Sequence, residues 1–157
     1  MIAPRKPERF EVIAGRLAGA NLRFHRRSDL SENEIEFDVL LLDSVGELAR
    51  LYASGDAAFV GGSLAPVGGH NPIEPAICGV PVAFGPHMSN FREIASLFLD
   101  NGGAAEAGHA GELVEWFERT RHDAAYRDLL IANARETIVR NQGASERTAR
   151  AILELLG

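Results

Sequence analysis

Three short stretches of the chain combine charged or glycine residues with the start of a helical pattern. They are Pro4-Arg5-Lys6, Ser44-Val45-Gly46-Glu47 and the glycine-rich run from Gly61 to Glu74. Arginine and lysine donate hydrogen bonds to phosphate, and the free backbone N–H groups at a helix start bind anions. These stretches therefore predict anion-binding junctions, although a tight turn that needs glycine explains the third stretch equally well.

The glycine-rich run predicts a strand end, a loop and a helix start, in that order. The pair Gly68-Gly69 closes the loop, and Asn71 followed by Pro72 is typical of an N-cap and a first helical residue. Glu74 stands three residues after Asn71, so it can complete a capping box. Its carboxylate could also accept hydrogen bonds from a ribose, as acids do in other nucleotide-binding folds, and the two roles are compatible.

Other kinds of chemical site are not indicated by the sequence. The glycine spacing matches neither the dinucleotide fingerprint nor the P-loop. Ser63 lacks the G-x-S-x-G context of a hydrolase nucleophile, and neither His70 nor the other histidines have the spacing of a zinc site. No pair of carboxylates is spaced as glycoside hydrolysis would require. We therefore expect neither a metal nor a cofactor.

The composition is that of an ordinary globular domain. With 157 residues the chain is long enough for one domain with a real core. Its single cysteine, Cys78, excludes an internal disulfide framework and is most simply a small buried apolar residue. No apolar run approaches the roughly 20 residues of a membrane span, so we expect the chain itself to be soluble.

Charge is distributed unevenly along the chain. The net charge of −6 argues against nonspecific binding of nucleic acid. Residues 1–27 nevertheless hold a cluster of basic residues: Arg5, Lys6, Arg9, Arg16, Arg23, Arg26 and Arg27. A solvated surface is the simpler interpretation of this cluster, and contact with phosphate or an anionic membrane is the other.

The apolar pattern alternates strand-length runs with helical runs. It predicts strands over residues 22–26, 38–43, 56–60, 80–84 and 104–107, and helices over residues 7–17, 44–53, 72–77 and 90–99. Ser44 and Asn90 are the expected N-caps of two of those helices, and from Ala110 onward three more helices are marked by Trp116, Tyr126 and Ile152. This alternation predicts an α/β fold: a doubly wound, mostly parallel sheet with helices on both faces and helices at the C-terminus.

In such a sheet, ligands bind beyond the carboxyl ends of the strands. The three stretches described first are all strand-to-helix junctions. We therefore expect them to meet at one edge of the sheet.

With these residues in view, the chain resembles the C-terminal half of the 3-deoxy-D-manno-octulosonic acid (Kdo) transferases, which have the two-domain GT-B fold. The resemblance runs from about Pro4 to the end of the chain. It rests on five motifs taken together: P-R-x-P-E-R-F at residues 4–10, G-E-L at 46–48, F-V-G-G-S-L at 59–64, G-G-H-N-P-I-E-P-A at 68–76 and F-G-P-H-x-x-N-F at 84–91.

The resemblance implies a Rossmann-like domain that binds CMP-Kdo. The family transfers Kdo from CMP-Kdo to a lipid A precursor in lipopolysaccharide synthesis, with inversion and without a metal, at the cytoplasmic face of the bacterial inner membrane. Pro4 and Arg5 would lie beside CMP, and Val45, Gly46 and Glu47 would bind the phosphate side. Asn71, Pro72, Ile73 and Glu74 would hold the ribose and phosphate, supported by Lys6, Ser63, Gly68, Gly69 and His70.

The chain departs from the family pattern in two side chains and in extent. The family usually has His at the position of Lys6 and Met at the position of Val45. The N-terminal half, which in the family carries the acceptor site, the catalytic carboxylate and the peripheral membrane anchor, is absent, as are the first strand and helix of the C-terminal domain. We therefore expect a fragment that binds CMP or CMP-Kdo and contains no catalytic base.

Two other interpretations of the sequence stay open. The same glycine loop and acid would serve a GT-B enzyme that uses a UDP-sugar. A non-catalytic α/β binding domain would have the same fold and no nucleotide.

Overall fold

The computed structural model describes residues 1–30, 36–143 and 152–153. The chain forms two compact units, Met1–Leu51 and Tyr52–Gly157, which we call unit 1 and unit 2. The prediction of one single domain stays a prediction.

Unit 1 is built on two parallel strands and one long helix. In chain order its elements are a 3-10 turn Pro7–Arg9, helix α1 (Phe10–Gly19), strand β1 (Phe24–Arg26), a 3-10 turn Arg27–Asp29, strand β2 (Val39–Leu41) and the short helix α2 (Leu48–Leu51). β1 and β2 pair in parallel, and Ile2 forms a parallel bridge to Leu41 on the other side of β2. Ala14 and Leu17 of α1 pack on Leu41, because their spacing of three residues places them on one helix face.

Unit 2 is a three-stranded parallel sheet with helices. Its elements are a 3-10 turn Tyr52–Ser54, strand β3 (Ala58–Val60), helix α3 (Ile73–Ile77), strand β4 (Val82–Phe84), a 3-10 turn Ser89–Phe91, helix α4 (Arg92–Asp100), strand β5 (Ala105–Glu106), helix α5 (Ala110–His122) and helix α6 (Ala124–Asn141). The strands lie in the order β3-β4-β5.

The central strand β4 carries helices on both faces. Its three residues are fully buried, and successive side chains of a strand point to opposite faces. Val82 and Phe84 pack in a cluster with Phe98 of α4, whereas Ala83 packs in another with Trp116 of α5. The predicted α/β class, with parallel strands and helices on two faces, is confirmed, and so is the core position of Trp116.

The strands are shorter than the apolar runs that predicted them. β2 covers Val39–Leu41 within the predicted 38–43, and β4 covers Val82–Phe84 within the predicted 80–84. The flanking residues are still buried in places, as Val80 and Leu42 are, because burial extends past the paired backbone. Cys78, expected to be buried, is only half-buried.

The helices of the C-terminal region match their predicted faces in part. Trp116 of α5 and Leu130 of α6 are buried, whereas Val114 and Leu129, which belong to the same apolar patterns, are exposed. Ile152 and Leu153 of the third predicted helix are helical and exposed. The other residues that marked it, Leu155 and Leu156, lie outside the described residues.

Three predicted helix starts are wrong, and in two of them the capping side chain has another partner. α2 begins at Leu48 rather than after Ser44, whose hydroxyl bonds to the Glu47 carboxylate. α3 begins at Ile73, so Pro72 is the N-cap rather than the first helical residue. α4 begins at Arg92, and the Asn90 side chain donates to a loop carbonyl instead of accepting from the helix.

Candidate functional site

Two of the predicted junctions leave the same edge of unit 1. The backbone N–H of Ile2 donates to the Leu40 carbonyl at 2.8 Å, and the N–H of Leu42 donates to the Ile2 carbonyl at 2.8 Å. The bridge is parallel, so Pro4-Arg5-Lys6 and residues 43–47 both follow the carboxyl ends of neighbouring segments. The structure thus brings these two predicted junctions to one edge of this unit.

The second junction presents backbone donors. Val45 is 81% exposed, and Gly46 adopts a φ of +89°, a left-handed conformation that favours glycine. The N–H groups of Val45, Gly46 and Glu47 donate to no acceptor among the described residues. They lie in the loop before α2 rather than in its first turn, and exposed backbone donors of this kind can still bind an anion.

The side chain of Glu47 is engaged within unit 1. One carboxylate oxygen accepts from Arg27 Nη2 at 3.2 Å, and the other accepts from the hydroxyl of Ser44. These contacts hold the end of the loop in place. Glu47 can therefore contribute its backbone N–H to a ligand while its side chain fixes the loop.

Most of the N-terminal basic residues with defined partners belong to ion pairs. Arg26 makes a bidentate contact with Glu11, at 2.6 and 2.8 Å. Arg23 contacts Asp38 through Nη2 at 2.9 Å and through Nε at 3.2 Å. Lys6 lies 3.9 Å from a carboxylate oxygen of Glu8, and both side chains are well exposed. These pairings favour the interpretation of a solvated, ion-paired surface over a membrane-binding one.

The ion pairs perturb the titration of their acids. Hydrogen bonding from the Arg23 side chain lowers the pKa of Asp38. Hydrogen bonding from Arg26, together with its charge, lowers the pKa of Glu11. Both acids are thus held by arginine side chains of unit 1.

In unit 2, Asn90 fixes the glycine pair that closes the loop. Its backbone N–H donates to the Gly68 carbonyl at 3.0 Å, and its side-chain amide donates to the Gly69 carbonyl at 3.4 Å. Gly68 and Gly69 have φ values of +104° and +70°, and a Cβ on either would collide with Asn90 or Met88. Both glycines are therefore required by backbone conformation and by close packing.

Ser63 supports the same loop from the buried side. It is fully buried, its hydroxyl donates to the Val60 carbonyl at 2.5 Å, and it accepts from the Gly85 N–H at 2.7 Å. The Ser63 carbonyl accepts from the His87 N–H at 2.9 Å. The loop after β3 is thus bonded to the loop after β4, and Ser63 acts in structure rather than as a nucleophile.

The loop leads into an exposed acid held by an asparagine. Asn71 Oδ1 accepts from the Ile73 N–H at 3.1 Å, and its Nδ2 donates to Glu74 Oε1 at 3.2 Å. This replaces the predicted capping box, in which Glu74 would contact the Asn71 backbone. Glu74 is exposed in the first turn of α3, while Pro72 beneath it is buried. Its Oε2 can accept hydrogen bonds from a ligand.

The negative charge of Glu74 affects the titration of Tyr52. Burial raises the pKa of the Tyr52 phenol, and the nearby charge of Glu74 raises it further. His70, between the glycine pair and Asn71, is half-buried. The Glu74 carboxylate faces solvent.

Sequence reasoning missed the role of Asn90. The residue was interpreted as an N-cap, although it belongs to the F-G-P-H-x-x-N-F motif at residues 84–91. That motif now has a structural meaning for Gly85 and Asn90, which contact Ser63 and the glycine pair respectively. The motif was the available signal, because it placed an amide side chain at a fixed distance after the strand.

The described part of the chain offers neither a metal cluster nor a membrane span. There, no group of three or more histidine, cysteine, aspartate or glutamate side chains could hold a metal ion. Over the same residues, no helix combines the length and apolarity that crossing a bilayer requires.

The chain is similar to known transferases over its whole length. It is 38% identical to the 3-deoxy-D-manno-octulosonic acid transferase of Bordetella pertussis, over 100% of the chain and 37% of that relative. It is 37% identical to the enzyme of the same name from Haemophilus influenzae, over 99% of the chain and 36% of that relative. The chain thus spans little more than a third of the length of these curated relatives. No protein-family model matches it.

A solved structure is similar in both sequence and fold. It is the crystal structure of the C-terminal CMP-Kdo binding domain of WaaA from Acinetobacter baumannii. The two are 36% identical, the match covers 86% of this chain and 70% of that one, and the TM-score is 0.82. At that identity and coverage the likeness extends beyond the fold alone.

Proposed function

This chain belongs to the family of 3-deoxy-D-manno-octulosonic acid transferases, and on that premise we propose that it is the domain that binds the CMP-Kdo donor. The observation that carries the proposal is its likeness to a CMP-Kdo binding domain across most of both chains. The exposed backbone donors in unit 1 and the exposed, held acid in unit 2 agree with it.

The proposed nucleotide site combines three elements. Arg5, beside Pro4, supplies a cation for phosphate, and residues 45–47 supply backbone N–H groups. Glu74, held by Asn71, accepts hydrogen bonds from the ribose hydroxyls. Pro72 and Ile73 form the rigid base of that contact, and Gly68, Gly69 and Ser63 support the loop.

In the whole enzyme the domain would stabilise the departing nucleotide. An acceptor hydroxyl of a lipid A precursor attacks the anomeric carbon of Kdo, the bond to the CMP phosphate breaks, and the anomeric configuration inverts. Negative charge then collects on the phosphate, where fixed N–H donors and a guanidinium lower the barrier without reorganising. The general base that takes the hydroxyl proton, and the acceptor site, belong to the part of the relatives that this chain does not span.

The cellular setting belongs to the same proposal. Transfer to a lipid A precursor places the full-length enzyme at the cytoplasmic side of the bacterial inner membrane, as a peripheral protein. Contact with the bilayer would then come from the other domain, in agreement with the ion pairs of the N-terminal arginines here.

Calorimetric titration of the chain with nucleotides tests the function. We expect saturable binding of CMP, weaker binding of UMP and UDP, and no transfer of Kdo when CMP-Kdo and acceptor are supplied. Preferred binding of UDP would indicate a UDP-sugar enzyme of the same fold. A folded, monodisperse sample that binds none of the three would indicate a non-catalytic domain.

A further inference from the structure

A cleft of about 470 Å³ opens in unit 2 beside the glycine loop. It extends from the carboxyl ends of β4 and β5, an edge where ligands of parallel sheets bind, along α4 as far as Leu99. Phe84 ends one of these strands and Glu106 ends the other, and both line the cleft. Pro66 lines it too. Pro66 belongs to the glycine-rich run that also carries the predicted nucleotide contacts Asn71 and Glu74.

Two charged side chains of the cleft make no ion pair with the residues that the structure describes. Arg92 and His87 line it together with Glu106, and all three are exposed. Neither Arg92 nor Glu106 makes an ion pair with any other residue that the structure describes, although both face the same space. A ligand that carries both an anionic group and hydrogen-bond donors would satisfy them at once.

The rest of the lining suits a sugar. Ser89 and Ser96 add hydroxyl groups at the rim, while Phe84 and Met88 form an apolar, buried floor. Apolar floors with a few convergent polar groups are typical of small-molecule sites, and a volume of this size lies within their usual range of roughly 300–1,000 Å³.

The position of the polar groups is fixed by the loop network already described. The His87 N–H bonds to the Ser63 carbonyl, and Asn90 bonds to Gly68 and Gly69. Arg92 follows directly as the first residue of α4. The lining is therefore rigidly connected to the loop that carries Asn71 and Glu74.

We propose that this cleft binds the acidic sugar of the donor, with Arg92 on its carboxylate and Glu106 accepting from its hydroxyl groups. The inference rests on the proposed function, because an octulosonic acid linked to the nucleotide supplies this combination of groups. His87 lies at the rim and adds a further hydrogen-bond donor. In this arrangement Arg92 selects a carboxylated sugar over a neutral one.

The test uses backbone amide NMR of the chain with three probes: free Kdo, CMP and inorganic phosphate. Kdo should shift the amides of Gly85, Ser89 and Glu106, and Arg92→Gln should weaken that binding about tenfold, the usual scale for losing a charged hydrogen bond. Arg92→Lys should weaken it less. The matched control Arg135→Gln removes an exposed arginine from α6 and should leave Kdo binding unchanged.

The outcomes separate this inference from the nucleotide site. CMP affinity should be the same in Arg92→Gln as in the unchanged chain, which also shows that the variant is folded. A chain that binds CMP but shows no Kdo shifts in the cleft, or shows them undiminished in Arg92→Gln, would overturn the inference. Equal shifts with inorganic phosphate would overturn it as well. Kdo shifts without any CMP binding would support the cleft and overturn the proposed nucleotide site.

Discussion

The backbone N–H of Gly85 donates to the hydroxyl oxygen of Ser63 at 2.7 Å, inside a fully buried contact. This bond joins the loop after β4 to the loop after β3. Asn90 continues the connection to Gly68 and Gly69. The segment that leads to Asn71 and Glu74 is thus held from one side by two hydrogen-bonding side chains.

Ser63→Ala should destabilise the protein by about 1–3 kcal/mol, because the Gly85 N–H is left buried without an acceptor. Urea unfolding followed by circular dichroism measures the change. Ser89→Ala removes an exposed hydroxyl and should change stability by less than about 0.5 kcal/mol. Equal stability of the Ser63 variant and the unchanged chain would contradict the role of this bond.

Gly68→Ala should disturb the loop in two ways. Its φ of +104° is strained for alanine, by about 1–3 kcal/mol, and its Cβ would meet the Asn90 side chain. We expect lower thermal stability and lower CMP affinity, measured by calorimetry. Gly61→Ala is the matched control, because no atom lies within 4 Å of its added Cβ and its φ is not positive. Two variants that behave alike would show that the loop conformation is unimportant.

Glu74→Gln should lower CMP affinity with little effect on stability. The carboxylate is exposed, so its loss costs the fold less than about 0.5 kcal/mol, whereas a charged hydrogen bond to a ribose contributes about 1.5–3 kcal/mol. The expected result is a tenfold or larger rise in Kd, roughly the lower end of that range. Glu93→Gln, an exposed acid in the first turn of α4, serves as the control. Unchanged affinity in the Glu74 variant would contradict the ribose contact.

Asp38→Asn should change how the stability of the fold depends on pH. The Arg23 side chain lowers the pKa of Asp38 in the folded state, so the carboxylate stabilises the fold at neutral pH. That contribution is complete above the unfolded pKa of about 4 and is lost as pH falls through the lower folded pKa. The variant should have a lower urea midpoint at neutral pH and a smaller fall in that midpoint below about pH 4.

Asp56→Asn is the control for the acid experiment. Asp56 is exposed and makes no ion pair with the described residues, so its variant should follow the pH profile of the unchanged chain. A profile for Asp38→Asn that coincides with the unchanged chain at every pH would contradict the stabilising role of the Arg23 pair.

The class of fold was predictable because apolar patterns report burial directly. The run at residues 80–84 became a fully buried parallel strand, and the run at residues 38–43 became a parallel strand of which Leu41 is buried and the other two residues are half-buried. Trp116 was correctly placed in the core, since its apolar neighbours recur at helical spacing. Strand ends were overestimated, because burial at Leu42 and Val80 continues beyond the paired backbone.

The helix starts were not predictable from capping residues alone. Ser44, Asn71 and Asn90 have the right side chains for an N-cap, but only Asn71 accepts from a helical N–H. Ser44 bonds to a local acid, and Asn90 bonds to a loop carbonyl. A capping pattern reports only that a side chain is short and polar. Whether that side chain bonds to the helix depends on competing groups, such as the Gly69 carbonyl. The sequence does not show that such a group lies nearby in the fold.

The loops that form the site were predictable from the sequence, but the contacts between their residues were not. The glycine pair and Glu74 were identified from the spacing of glycine, asparagine and acid. The cleft lined by Arg92 and Glu106 was not, because these residues stand far apart in the sequence, at the start of α4 and at the end of β5. Its sequence signal was limited to the motif at residues 84–91.

The most direct test of the nucleotide site is a crystal structure of the chain with CMP bound. The account predicts one CMP molecule with its phosphate on Arg5 and the N–H of Gly46, and its ribose hydroxyls on Glu74. Density for CMP that touches none of these residues would contradict it.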